Sequence, residues 1–297
     1  MKTLLICPSS RPAVPQLTKS APLAIVPILG GCLASHWIEH LALLGAREVR
    51  VIAADRAAEV RAALGDGARW GVRLDVVGVR TEPTCAEAAA YRPAGEPGWL
   101  PAPYDLVLLD HLPGCRQLPL FESYASWFAA LLGWLPRALT PGRVRVHELR
   151  PGIWVGRRAQ ISGTAELTAP CWIGDQAIVA AGAVVGPEAI LEDRCVVDAE
   201  ARVARSWVGP DTYVGALTAV EWSLAWGSCL TNWRSDSSLQ VPDPFLLHSL
   251  AAPVVPAASQ PAARPASAPA RLAGSPLNWM AAWPAQADRG PNSNPPA

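Results

Sequence analysis

The stretch from Val155 to Val203, VGRRAQISGTAELTAPCWIGDQAIVAAGAVVGPEAILEDRCVVDAEARV, carries an aliphatic residue at every sixth position. The series runs Val155, Ile161, Leu167, Ile173, Val179, Val185, Leu191, Val197 and Val203. A small residue follows most of these four positions later, as at Ala159, Ala165, Cys171, Ala177, Ala183, Ala189, Cys195 and Ala201. A glycine or an acidic residue often comes directly after the aliphatic one, as in Val155-Gly156, Ile173-Gly174, Val185-Gly186 and Val197-Asp198. An α-helix cannot keep a six-residue repeat on one face. A parallel β-helix can, because each hexad makes one side of a triangular coil and points its aliphatic side chain inward. The spacing therefore predicts a left-handed hexapeptide β-helix of a little over three coils, within residues 151–241.

Composition decides less. The 297 residues have room for about two domains. Twenty-five basic residues balance 25 acidic ones, which argues against nucleic acid or an anionic membrane surface as partner. The seven cysteines show no paired metal spacing, and Cys171 and Cys195, on the small-residue beat, read as buried hydrophobes. The opening Met1–Cys7 is too short for a signal-peptide core, and no stretch approaches a membrane span. These features fit a cytoplasmic protein of bacterial type.

Residues 1–150 alternate strand-like and helix-like runs. Strands are expected over Thr3–Cys7, Glu48–Ala53, Val72–Val77 and Asp105–Leu109, and helices over Cys32–Leu44 and Arg56–Leu64. Alternation of this kind predicts an α/β domain on a parallel sheet. From 242 to 297 the chain turns to proline, alanine and serine, with ten prolines beyond Leu250. Such a segment buries too little apolar surface to offset its ordering entropy, so disorder is expected; Trp279 and Trp283 are its bulky anchors.

The run from Leu17 to Val77 resembles the opening of the sugar-nucleotidyltransferase family, the NDP-sugar pyrophosphorylases of mannose-1-phosphate guanylyltransferase type. The likeness rests on Leu17-Thr18 with Pro22 following, the Pro27-Ile28-Leu29-Gly30 turn, the helix ending before Arg47-Glu48-Val49, and a hairpin-like Gly65–Leu74 stretch. Members of that family often carry a C-terminal hexapeptide β-helix. The resemblance implies a truncated Rossmann-like nucleotidyltransferase domain, with Phe121–Leu139 as the helix leading into the β-helix. It also implies an in-line attack of a sugar 1-phosphate on a nucleoside triphosphate. That reaction needs a glycine loop, an arginine, a lysine and carboxylates holding Mg2+.

The chain departs from the family at those positions. Pro8–Thr18 reads PSSRPAVPQLT, so Ser9 stands in a glycine position and Ala13 stands where the resemblance places the arginine. The lysine position holds Leu23. The base-recognition loop corresponds loosely to Pro83-Thr84-Cys85-Ala86-Glu87, without its glycine. Arg11 and Lys19 are nearby cations left as candidates for nucleotide contact, and Asp110, closing an apolar strand, is the candidate metal ligand for any Mg2+. A strand-end aspartate before Pro113-Gly114 is an equally good turn residue. Losing one preorganised charge-stabilising donor costs on the order of 10²–10³ in rate, so losing all of them implies an impaired or inactive transferase. The family's sugar-binding half is also missing from the 150 residues available.

Hexapeptide acyltransferases use a histidine base on the coils. The histidines here are His36, His40, His111, His147 and His248, none between Val155 and Val241, which places acyl transfer low. The outer face offers more. Residues preceding the inward aliphatics point outward, so Trp154, Trp172 and Ile190 stack in one column, joined by Trp207 if the coil shortens by one before Val208. An apolar column marks a contact, either with the α/β domain and linker helix or with another subunit. Trp222, Trp226 and Trp233 are expected near the end of the β-helix, as caps on its core. Two functions remain open. One is a nucleotidyltransferase-like protein of nucleotide-sugar or polysaccharide biosynthesis that still meets a nucleotide or sugar phosphate. The other is a non-catalytic regulatory or scaffold subunit, a homo-oligomer or partner of an active nucleotidyltransferase.

Overall fold

The computed structural model describes residues 1–92, 97–138 and 146–251. The expected tail from 252 onward, with Trp279 and Trp283, lies outside the described residues. The α/β part and the β-helix fall within one compact unit, Met1–Ala252.

The N-terminal part runs β1 (Lys2–Ile6), α1 (Pro15–Ser20), β2 (Pro27–Ile28), β3 (Gly31–Cys32), α2 (Leu33–Leu43), β4 (Glu48–Ala53), α3 (Ala57–Leu64), β5 (Arg73–Gly78), α4 (Cys85–Ala88), β6 (Leu106–Leu108) and α5 (Tyr124–Trp134). Four of the strands form a parallel sheet in the order β5-β4-β1-β6. Leu5, Val49, Val51 and Ala53 pack with Leu33, Trp37 and Leu41 of α2 and with Val60 and Leu64 of α3. Both crossover helices thus cover one face. The opposite face carries a smaller apolar cluster of Leu4, Ile6, Ile52 and Ala88, with Val79, Tyr91, Trp99, Leu106 and Leu108 packed against it. Next to it run the ion pairs Glu48–Arg73 (3.1 Å) and Arg50–Asp75 (3.3 Å). Gly65–Leu74 is not a hairpin. A 3-10 turn at Ala68–Trp70, between Gly67 and Gly71 at positive φ, feeds the parallel strand β5.

The chain then winds into a three-faced parallel β-helix. One face stacks Ile153–Gly156, Cys171–Ile173, Ala189–Leu191, Ser206–Val208 and Ser223–Trp226. The other two stack Gln160–Ile161 up to Thr212–Val214, and Glu166–Leu167 up to Ala219–Glu221. Both hexad positions point inward: the core holds Ile173, Val179, Val185, Leu191, Val197 and Val203 together with Cys171, Ala177, Ala183, Ala189, Cys195 and Ala201. Burial accordingly pushes the Cys171 thiol up to about 12 and raises that of Cys195 as well. Corners recur at Gln176, Glu188, Arg194, Glu200, Arg205, Asp211 and Leu217, all at φ between 47 and 61°. For an L-residue that conformation costs roughly 1–2 kcal/mol, offset here by the burial of each side.

Two expectations need correction. The β-helix exceeds the expected little over three coils: it has four rungs on two faces and a fifth, Ser223–Trp226, on the first, beyond the step from Val203 to Val208 where the six-residue beat loses one residue. Nor does irregular chain begin at 242. Leu247–Ser249 pairs antiparallel with Thr212–Val214 and inserts Leu247 into the core, 3% exposed. Truncating Leu247 to alanine should cost about 2 kcal/mol or more and lower the melting temperature by several degrees. The same change at exposed Leu246 should do little. Equal melting of the two variants would show that this strand contributes nothing to the fold.

Candidate functional site

The C-terminal edge of a parallel sheet collects the loops that follow its strands, and the switch point here lies between β1 and β6. The loop after β1 presents Ser9 and Arg11, the loop after β5 presents Glu82, and the loop after β6 presents Asp110 and His111. Four donor contacts converge on the Glu82 carboxylate. The Ser9 N–H donates to Oε2 at 2.8 Å and the Ser9 hydroxyl at 2.7 Å. Arg11 adds a two-pronged contact, Nη1 to Oε2 at 2.8 Å and Nη2 to Oε1 at 2.7 Å. Burial alone would raise the Glu82 carboxyl, but the Arg11 and Ser9 hydrogen bonds hold it down at about 2. The same contact raises the Arg11 guanidinium above its ordinary value. Charge-assisted bidentate pairs of this kind are strong and fixed in direction.

The structure brings together only part of the expected set. Arg11 is at the sheet edge, paired with Glu82, while Lys19 lies exposed in the last turn of α1. Asp110 acts on Arg11 electrostatically, and its Oδ1 meets His111 Nδ1 at 2.5 Å. His111 is further held by Trp37, whose indole N–H donates to the His111 carbonyl at 2.7 Å and whose ring stands edge-on to the imidazole at 5.1 Å. A groove of about 370 Å³ runs beside β6, lined by Trp37, Tyr104, Asp110, His111 and Arg116. The residues do not fit Mg2+. That ion wants near-octahedral oxygen ligands, whereas Asp110 is a lone carboxylate already bonded to His111. Among the described residues no group of three or more His, Cys, Asp or Glu side chains could hold a metal.

The tryptophan column is buried within the chain. Trp154, Trp172, Ile190, Trp207 and Leu224 stack in register, 6% exposed at Trp154 and fully buried at the rest. They share one core with α2, α3 and α5, and Trp127 of α5 meets Trp207 edge-on at 5.1 Å. Of the two contacts expected for this column, the structure shows the one with the α/β part and its helix; that cover leaves Trp172, Ile190 and Trp207 no exposed surface to serve as the alternative subunit interface. Nor do Trp226 and Trp233 cap the β-helix core. Trp226 packs on Trp207 at 5.5 Å and Trp233 on Phe128 at 4.9 Å, both extending the same seam. Trp222 sits instead under the guanidinium groups of Arg205 and Arg234.

Two functional residues escaped the sequence reading. Glu82 gave no signal, since nothing in Thr81-Glu82-Pro83 ties it to a loop seventy residues earlier. Glu192 did give one. It directly follows Leu191 on the β-helix face where the equivalent positions of neighbouring coils are Gly156, Gly174 and Gly209. Its side chain leaves the coil and accepts N–H bonds from Leu29 (2.7 Å), Gly30 (2.9 Å) and the Trp207 indole (3.1 Å). The Leu29-Gly30 turn, at φ 48 and 73°, is thereby fastened to the β-helix. Burial pushes the Glu192 carboxyl up to about 7, against the pull of these donors. The two histidines flanking the repeat lie on added strands: exposed His147 opposite Val155, and His248 beside Tyr213 at a ring distance of 4.7 Å.

No family model matches the chain, and no curated protein matches it. Among solved structures, it is similar to the acetyltransferase domain of PglB from Neisseria gonorrhoeae FA1090 in complex with acetyl coenzyme A. That match has 14% identity over 61% of this chain and 86% of that one, at a TM-score of 0.16. A mutant of perosamine N-acetyltransferase from Caulobacter crescentus, in complex with CoA and GDP-perosamine, matches at 17% identity, 62% and 94% coverage and a TM-score of 0.16. Likenesses this distant carry no argument about what this chain binds or does.

Two variants test the seam. Trp172→Glu places a charge in a fully desolvated apolar contact and should cost several kcal/mol with the molecular mass in solution unchanged; a variant of wild-type stability but smaller mass would mean the column is an interface between copies. Glu192→Ala leaves two buried donors unpaired, the Leu29 N–H and the Trp207 indole, together with the more exposed Gly30 N–H, and should cost about 3 kcal/mol. Folding raises the Glu192 carboxyl from its ordinary 4.5 to about 7. The stability linked to its proton is then full below about 4.5 and is lost as pH rises through 7. Melting curves between pH 5 and 8 should show this decline in the wild type and lack it in Glu192→Ala. An identical pH profile in both would remove Glu192 from this role.

Proposed function

We propose that the chain is a nucleotidyltransferase-like protein of nucleotide-sugar or polysaccharide biosynthesis, acting in the bacterial cytoplasm, that does not itself transfer a nucleotidyl group. The carrying observation is the commitment of Arg11 to Glu82: the arginine of the loop after β1 faces a carboxylate of the same chain at 2.7 and 2.8 Å. An in-line transfer needs donors aimed at phosphate oxygens where charge develops, and a donor bonded to another anion supplies none of that stabilisation. The sequence supports the same reading. Ala13 and Leu23 occupy the positions where the resemblance places an arginine and a lysine.

A non-catalytic role puts the weight on assembly. The tryptophan face is buried under the α/β part, so a homo-oligomer or an active nucleotidyltransferase partner would meet another β-helix face. One presents Gln160, Ile178, Val196 and Tyr213; the other presents Glu166, Val184, Arg202 and Ala219. Purified protein supplied with Mg2+, nucleoside triphosphates and common sugar 1-phosphates should release no pyrophosphate. Turnover above about 0.1 per second, far below the usual enzyme range, would overturn the reading.

A further inference from the structure

We propose that Glu82 is a tethered internal ligand: the segment 79–84 acts as a lid that fills an oxyanion cradle made by Ser9 and Arg11, whose external ligand class is a tetrahedral oxyanion such as a phosphate monoester. This rests on the reading of the sheet edge given above and adds to it how that edge is closed. The donors come from one loop, and their acceptor comes from another more than seventy residues away, so the convergence is a tertiary arrangement. A backbone N–H, a hydroxyl and a planar guanidinium fork aimed at one point match a carboxylate and a phosphate equally well. The Glu82 side chain is 18% exposed and the Arg11 side chain 30%, so solvent reaches the pair.

Val79 anchors one end of the lid, its N–H donating to the Ala53 carbonyl at 3.0 Å and its side chain packing on the cluster of Leu4, Ile6 and Ile52, while the residues after it are lightly held. Thr81 is exposed, Pro83 is half-buried, and the short α4 that follows holds itself through its own capping box: the Thr84 N–H donates to Glu87 at 2.8 Å and the Glu87 N–H to Thr84 at 3.3 Å. Segments with few buried apolar contacts open at low free-energy cost. Lifting Glu82 leaves Arg11 and Ser9 in place, with the Asp110 carboxylate as the neighbouring negative charge acting on Arg11. That charge moderates the affinity, and inorganic phosphate is accordingly expected to bind in the millimolar range.

The test is a melting series of the full chain in inorganic phosphate, with ionic strength held constant by chloride. Wild type, in which Glu82 competes for the cradle, should gain less than about 1 °C, whereas Glu82→Ala should gain about 3 °C or more at about 10 mM phosphate. Glu82→Ala combined with Arg11→Ala should lose that gain. Should Glu82→Ala not fold, Glu82→Gln keeps the shape while removing the charge and should show a smaller gain of the same sign. A folded Glu82 variant without any phosphate response overturns the proposal, as does a wild-type response equal to that of the variant. Turnover by the wild type would instead overturn the non-catalytic reading, and it is measured separately by pyrophosphate release.

Discussion

The structure depends on the burial of one apolar column. Five rungs of the β-helix contribute Trp154, Trp172, Ile190, Trp207 and Leu224, and the α/β part lays α5 and the Leu29-Gly30 turn across them. A fully buried tryptophan is worth several kcal/mol, so this seam outweighs any single polar contact in the molecule. It also has a polar cost. The indole N–H groups of Trp127, Trp154 and Trp172 find no partner among the described residues, and each buried unpaired donor costs about 1–3 kcal/mol. Glu192 relieves that cost at one point only, by taking the Trp207 indole together with two backbone donors.

That seam explains the shape of the sheet. A doubly wound sheet needs cover on both faces and on the far side of its switch point. Here α2 and α3 cover one face, and the chain after β6 leaves for α5 and the β-helix. The tryptophan face shares its core with α2, α3 and α5. The opposite face stays thinly covered and is lined with ion pairs such as Glu48–Arg73 and Arg50–Asp75. Paired charges on an open face cost little solvation and discourage unwanted association.

At the sheet edge, polar side chains brought together by the fold meet one another within the chain. Ser9, Arg11 and Asp110 sit where an α/β sheet gathers ligands, yet Arg11 is bonded to Glu82 and Asp110 to His111. Each functional group is satisfied inside the chain. Charge-assisted pairing of this kind fixes the loop after β1 against the loop after β5.

The amino-acid sequence alone determined the β-helix, because a six-residue beat of inward aliphatics is a local covalent pattern with one geometric solution. It also determined the alternating strands and helices of the first 150 residues, whose hydrophobic periods are local too, and the outward stacking of Trp154, Trp172 and Ile190. Tertiary structure alone decided what covers that column, since exposure to a partner and burial under the chain's own helix share one sequence pattern. It decided the fate of Arg11, because the carboxylate that binds it arrives from a loop seventy residues on. It gave Glu192 its role through a turn 162 residues away, and it drew Leu247 out of an apparently featureless region into the last coil. Local periodicity is written along the chain; pairing between distant polar groups is fixed only once packing has set which loops meet.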